Sequence, residues 1–244
     1  MLRATVFVLI VVAMFEVYKA LSGKMRSIHL VGYLFAAIYM FCIDFVSDYR
    51  VLTIILILMT MTVLCCLVLF YGKINIIDSC ITVFGFYYVA ILLSSLYLVR
   101  CFDYGVYFTW IIFIAAWGSD TGAYAAGKLL GKHKLTAKLS PSKTIEGAVG
   151  GVVAAIALSF VYGLLVSKIF DIEDITIISF CVIAGASGAV FAIIGDLVAS
   201  AIKRFNGIKD FGNIIPGHGG VLDRFDSVLF TAPAVYIVLL ILEK

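Results

Sequence analysis

The feature that most limits what this chain can fold into is a series of long, unbroken apolar runs. They fall at residues 2–21, 28–43, 51–71, 76–99, 106–127, 145–167, 177–200 and 225–242. A helix that crosses the hydrocarbon layer of a membrane needs about 20 mostly apolar residues. The runs lack the alternation of period two expected of an outer-membrane barrel strand. Backbone N–H and C=O groups in lipid must find partners within the segment, and a helix provides them. The reading is therefore an all-α, polytopic transmembrane helical bundle of about eight spans. Composition agrees, since 64% of the 244 residues are hydrophobic and only 14% are charged, against about 25% charged in a soluble domain. The first run continues past the length of a signal-peptide core and reads as a span. No room is left for a separate soluble domain. Residues 1–244 read as a single integral membrane domain, with N-terminal spans at 1–105 and catalytic spans and loops at 106–244.

The connections set the expected orientation. The loop at 128–144 holds Lys128, Lys132, Lys134, Lys138 and Lys143 and no acid, which places it in the cytoplasm by the positive-inside rule. Two spans later, 201–220 carries Lys203, Arg204 and Lys209 and falls on the same side. Between them, 168–176 carries Asp171, Glu173 and Asp174 against Lys168 and belongs outside. Counting backward puts Lys24 and Arg26 inside and both termini outside. The net charge of +3 is small, and no nucleic acid is expected as a partner. The six cysteines, with no CxxC pair, read as small buried residues rather than disulfides or metal ligands. Asp44, Asp48, Asp78 and Asp103 sit in short connections and read as solvated loop residues. Gly147, Gly150 and Gly151 open the sixth span, where small residues let helices approach closely.

Charge inside a membrane is costly and tends to mark function, so the polar stretches carry the chemistry. Asp196 lies inside the cytoplasmic end of the seventh span, and Asp196, Ser200 and Lys203 share one helix face. The run IIPGHGGVLDRFD follows. Its Pro216, Gly217, Gly219 and Gly220 break a regular helix, and a loop of free N–H groups entering a helix is a ready anion site. Asp223 and Asp226 come next, on one face of the starting helix. Asp196 and Asp223 lie on consecutive helices that end at the same surface, and paired carboxylates suit a hard cation such as Mg2+. Lys203, Arg204, Lys209 and Arg224 offer cations for phosphates. His218 alone reads as structural. Asp120 lies within the fifth span near the same side. Ser140, Ser142, Lys143 and Thr144 look like an N-terminal cap of the sixth span able to bind an anion. Lys132, Lys134 and Lys138 read better as topogenic charges. Together these elements favour phosphoryl or nucleotidyl transfer on a lipid phosphate, with positioning and charge neutralisation as the protein's work.

The whole stretch from Ser200 to Asp226 resembles the signature of the phosphatidate cytidylyltransferase (CDP-diacylglycerol synthase) family. Ser200, Lys203, Arg204, Lys209, Asp210, His218, Gly219, Gly220, Asp223, Arg224 and Asp226 stand at matching positions. SDTGAY and SPSKTIEG are similar to the family's upstream elements, so the likeness covers roughly residues 115–230. The resemblance implies that CTP and phosphatidic acid give CDP-diacylglycerol and pyrophosphate. It implies a divalent cation, Mg2+, on Asp196 and Asp223, a neighbouring monovalent cation such as K+, a homodimer among membrane lipids, and a site facing the cytoplasm from a bacterial inner membrane. The catalytic residues expected on this reading are Asp196, Asp223, Lys209 and Asp226. Asp120, Ser142, Lys143, Ser200, Lys203, Arg204, His218, Gly219, Gly220 and Arg224 are the expected substrate-binding residues. Two other readings compete. One is a CTP-dependent transferase acting on another lipid phosphate or a lipid alcohol. The other is an ion-coupled transporter using Asp120 and Asp196 as a path, which predicts internal repeats that the sequence does not clearly show.

Overall fold

The computed structural model describes residues 1–23, 25–45, 49–170, 174–214, 216–217 and 219–242. Lys24, Asp48, Asp171 and Glu173, used above for orientation or as loop residues, lie outside the described residues. The chain divides into two compact units. One comprises Met1–Ser94 with Asn206–Arg224, the other Ser95–Phe205 with Phe225–Lys244. The loop before the last helix thus groups with the N-terminal helices.

The first unit is built on α1 (Leu2–Ser22), α2 (His29–Phe41), α3 (Tyr49–Leu69) and α4 (Ile76–Gly85). A π-helical turn at Phe86–Ile91 carries α4 on into α5 (Leu92–Arg100), so that Ile76–Arg100 forms one long apolar helix. Tyr18 is fully buried, donates its hydroxyl hydrogen to Thr82 O at 3.0 Å and stacks on His29. Helices can close on that ring because Gly85 faces it, and an added Cβ there would lie 2.9 Å from Tyr18 Cζ. At one end of the unit Arg3 pairs with Asp44 at 2.7 Å. Arg26 and Lys73, from two different connections, line one cavity of about 690 Å³ with Asp78. Asp78 corrects an expectation. It is 5% exposed rather than solvated, sits in the first turn of α4 and lies 3.6 Å from Arg26. A helix N-terminus and a cation both favour a carboxylate there.

The second unit contains α6 (Gly105–Leu130), α7 (Ile145–Phe170), α8 (Asp174–Phe205) and most of α9 (Leu222–Leu242). The expected small-residue packing of α7 is present. A Cβ on Gly147 would come 2.8 Å from Ala123 O of α6, and one on Gly151 would come 2.6 Å from Ser119 O. The lysine-rich connection is more ordered than a plain loop. It folds into a hairpin, β1 (Lys134–Thr136) with β2 (Ser140–Thr144), antiparallel. Glu146 in the first turn of α7 holds it, accepting the N–H of Lys132 at 3.1 Å and a ring N–H of His133 at 2.6 Å. Thr144 Oγ1 accepts the N–H of Gly147 at 3.1 Å and so caps α7, as the sequence suggested.

Among the described residues six helices are long and apolar enough to cross a membrane, so the chain is an integral, multi-pass membrane protein. Two of the eight expected runs differ. The run at 28–43 yields a helix of only 13 residues, about 20 Å at 1.5 Å per residue, short of a bilayer core of about 30 Å. The run at 106–127 forms a helix of 26 residues, long enough to cross, but Ser119, Asp120, Thr121 and Lys128 make its second half polar.

Candidate active site

In the second unit the polar residues gather at one end of α6, α8 and α9. Asp120 comes from α6, Asp196 from α8 and Asp226 from the second turn of α9. The three carboxylates are close enough to act on one another electrostatically. Each is met by a group that tempers its charge. Lys143, from the end of β2, forms an ion pair with Asp196, both side chains about a quarter exposed. Lys203, two turns after Asp196 on α8, acts on Asp226. Ser227 donates its hydroxyl hydrogen to Asp120 Oδ2 at 3.2 Å, and its N–H to Asp226 Oδ1 at 2.8 Å. Ser200, one turn beyond Asp196, stands 3.5 Å from Asp196 Oδ1. The face shared by Asp196, Ser200 and Lys203 is therefore present, but the cation paired with Asp196 is Lys143. Asp120, Ser142, Lys143 and Asp196 line a cavity of about 420 Å³, walled by Tyr124, Gly127 and Leu135. Lys128 lines it too, and a cavity of that size with two lysines and two acids on its wall can hold a phosphate group and its counter-cation. Arg204 is exposed just beyond Lys203.

The loop of the first unit is organised differently. Asp223, in the first turn of α9, accepts the N–H of Phe211 at 2.8 Å and of Gly220 at 3.0 Å through Oδ2. One carboxylate thus clips both ends of a ten-residue loop. Gly219 has φ +83°, a conformation suited to glycine, and an added Cβ there would stand 3.2 Å from Asp223 Oδ2 and 3.6 Å from Asp210 Oδ1. Lys209 is exposed on this loop and Arg224 is exposed on the first turn of α9. His218 lies outside the described residues.

The sequence reading missed one residue here. Glu16 of α1 is 1% exposed and accepts the N–H of Val221 at 2.9 Å and of Leu222 at 2.7 Å. The N–H groups of residues 220–222, which from sequence looked ready for a substrate phosphate, are taken by the protein's own carboxylates. A helix N-terminus draws an anion, and here Glu16 and Asp223 supply it. The signal was available, because an acid inside an apolar span marks a functional candidate and Glu16 sits in the first span.

All the carboxylates named here offer oxygen, the donor that hard divalent cations prefer. Among the described residues no three His, Cys, Asp or Glu side chains are already arranged around a point that a metal could fill. The donor chemistry thus fits a divalent cation held by one or two carboxylates, the remaining positions being left to phosphate oxygens and water, as is usual for Mg2+.

A family model described as "Cytidylyltransferase family" matches residues 1–242. The chain belongs to the cytidylyltransferase family. It is therefore a nucleotidyltransferase, and enzymes of this family generally use a divalent metal. Similar proteins include a phosphatidate cytidylyltransferase of Bacillus subtilis (strain 168), 40% identical over 159 residues, a stretch that is 61% of this chain and 57% of that protein. Phosphatidate cytidylyltransferases of Staphylococcus saprophyticus and Staphylococcus haemolyticus are 37% and 36% identical, over 76% and 81% of this chain. The matches span 68% and 72% of those two proteins and less than two thirds of the Bacillus one.

Proposed function

We propose that this enzyme transfers CMP from CTP to phosphatidic acid, giving CDP-diacylglycerol and pyrophosphate, at the cytoplasmic leaflet of a bacterial inner membrane. The observation that carries the reading is the cluster of Asp120, Asp196 and Asp226 with Lys143 and Lys203 at one end of the membrane helices. Family membership and the names of the relatives supply the substrate class. Three acids and two lysines can bind both a cation and a phosphate chain while keeping the net charge small.

Asp196 and Asp223 are the residues that would hold Mg2+, with a monovalent cation such as K+ beside it. When bound, the divalent cation neutralises charge on the nucleotide phosphates. The chain's own groups do the rest. Lys143 and Lys203, with Arg204, Lys209 and Arg224, share the negative charge of two phosphate-bearing substrates. A phosphate oxygen of phosphatidic acid attacks the α-phosphorus of CTP in line. The bond from that phosphorus to the oxygen bridging to the β-phosphate breaks, and pyrophosphate leaves with the electron pair. The attacking oxygen is already anionic, so no strong general base is required. Asp120 and Asp226 hold the lysines and Ser227 in place around Asp196. The protein acts as a homodimer on this reading.

The test is a transfer assay with labelled CTP and phosphatidic acid in mixed micelles, with and without Mg2+. Label should pass to lipid only with Mg2+, and with equimolar pyrophosphate release. Label passing to a lipid alcohol or another lipid phosphate in preference to phosphatidic acid would replace the substrate assignment.

A further inference from the structure

We propose that Glu16 is a positioning residue for the reaction, setting the loop that orients Asp223; the role given to Asp223 rests on the function proposed above. Glu16 lies in a helix long and apolar enough to cross the membrane and is 1% exposed. An ionisable side chain there is costly. Among the described residues no Lys, Arg or His forms an ion pair with it. What compensates its charge is a pair of backbone N–H groups 205 and 206 positions away.

The loop is shaped around that carboxylate. A Cβ on Gly212 would meet Glu16 Oε1 at 2.7 Å, and one on Gly220 would meet the same oxygen at 2.5 Å. The chain therefore passes Glu16 at two points, residues 212 and 220, where no side chain fits. Each of these points adjoins or supplies a donor to Asp223: Phe211 precedes Gly212, and Gly220 donates directly. Glu16 and Asp223 thus grip neighbouring backbone groups of one short segment. The N–H groups of 211 and 220 go to Asp223, and those of 221 and 222 go to Glu16. Glu16 caps α9 by accepting the N–H of Leu222, its first residue, and it also takes the N–H of Val221 before the helix, next to the Gly220 N–H that Asp223 accepts. The additional carboxylate from α1 fixes where residues 220–222 stand, and through Gly220 which way Asp223 presents its carboxylate. Partners that orient a metal-binding carboxylate are usually worth about 10–100-fold in metal affinity or activity.

Glu16→Gln keeps the shape and one acceptor oxygen but sets an NH2 group against a backbone N–H. In the full-length protein in nanodiscs, this variant should bind Mn2+, read by EPR, about tenfold or more weakly than the parent. The Mg2+ concentration giving half-maximal transfer should rise to match, KM for CTP should change little, and amide exchange at 220–222 should quicken. Gly212→Ala, which crowds the same carboxylate from the loop, should reproduce the pattern if Glu16→Gln does not fold. Unchanged Mn2+ binding in the folded variants would overturn the proposal, as would activity lost only in proportion to folded protein. If the parent protein itself transfers no CMP to phosphatidic acid, the function proposed above fails, while Mn2+ binding and amide exchange still report on Glu16.

Discussion

A carboxylate in a membrane helix persists only if something compensates its charge, and three acids here are compensated in three ways. Asp196 has a lysine, Asp223 has two backbone N–H groups from the adjoining loop, and Glu16 has two N–H groups, from the first residue of α9 and the residue before it. Their substitutions should separate accordingly. Asp196→Asn and Asp223→Asn should each reduce Mg2+-dependent CMP transfer by more than about a hundredfold, beyond the cost of losing an outer partner of a metal site. Intact gel-filtration profiles in detergent would show that the loss is chemical. Near-normal turnover in either variant would remove that residue from the metal site. Lys143→Met should lower kcat/KM for CTP by about tenfold or more, because it removes a cation from the cavity wall and leaves Asp196 unpaired. Lys143→Arg should restore part of the loss, and steady-state kinetics across CTP concentrations would measure both. Several of these residues were visible in the sequence because an acid or a lysine in an apolar run stands out. The partnership of Asp196 was not. Helical spacing pointed to Lys203 on the same face, and the ion pair goes to Lys143 from the hairpin instead.

At the scale of single elements, α7 shows what local signals can and cannot announce. Its cap by Thr144 and its glycine face followed from residue types at given spacings. Thr144→Ala should cost about 1 kcal/mol of stability, the usual cost of a lost N-cap, seen as a lower thermal midpoint with transfer activity retained in the folded fraction. Gly151→Val should be far worse. Its side chain would press on the backbone of α6 at Ser119, and a backbone carbonyl cannot swing away as a side chain can. The expected outcome is aggregated protein after extraction, with no recoverable activity. The β-hairpin before α7 could not be read in advance. Its strands are three and five residues long and mostly polar. What holds it is a carboxylate in the following helix, accepting N–H groups 13 and 14 positions earlier.

For the whole molecule, the charge rule and the structure bear on different questions. The rule assigns sides, while the structure shows which connections share an end within each unit. Arg3 meets Asp44 at one end of the first unit, and the loop residues Arg26 and Lys73 line one cavity. In the second unit Lys143 and Lys203 reach the same group of acids. The orientation itself is testable. In a variant with the native cysteines replaced, Lys138→Cys should react with a membrane-impermeant maleimide only in inverted vesicles, and Asp103→Cys only in right-side-out vesicles. The reverse pattern would place the active site on the other face.

The membrane-helix class, the polar face of the site and the cytidylyltransferase signature are all properties of short stretches of chain. Apolar length, helical spacing and the density of charge within 27 residues are local quantities, so the order of the residues alone settles them. The grouping of Asp120 with Asp196 and Asp226, the pairing of Lys143, and the seating of Glu16 under the start of α9 were decided only by the tertiary structure. Each joins residues from elements far apart in the chain, and no local periodicity encodes which N–H group a buried carboxylate will meet once the helices have packed.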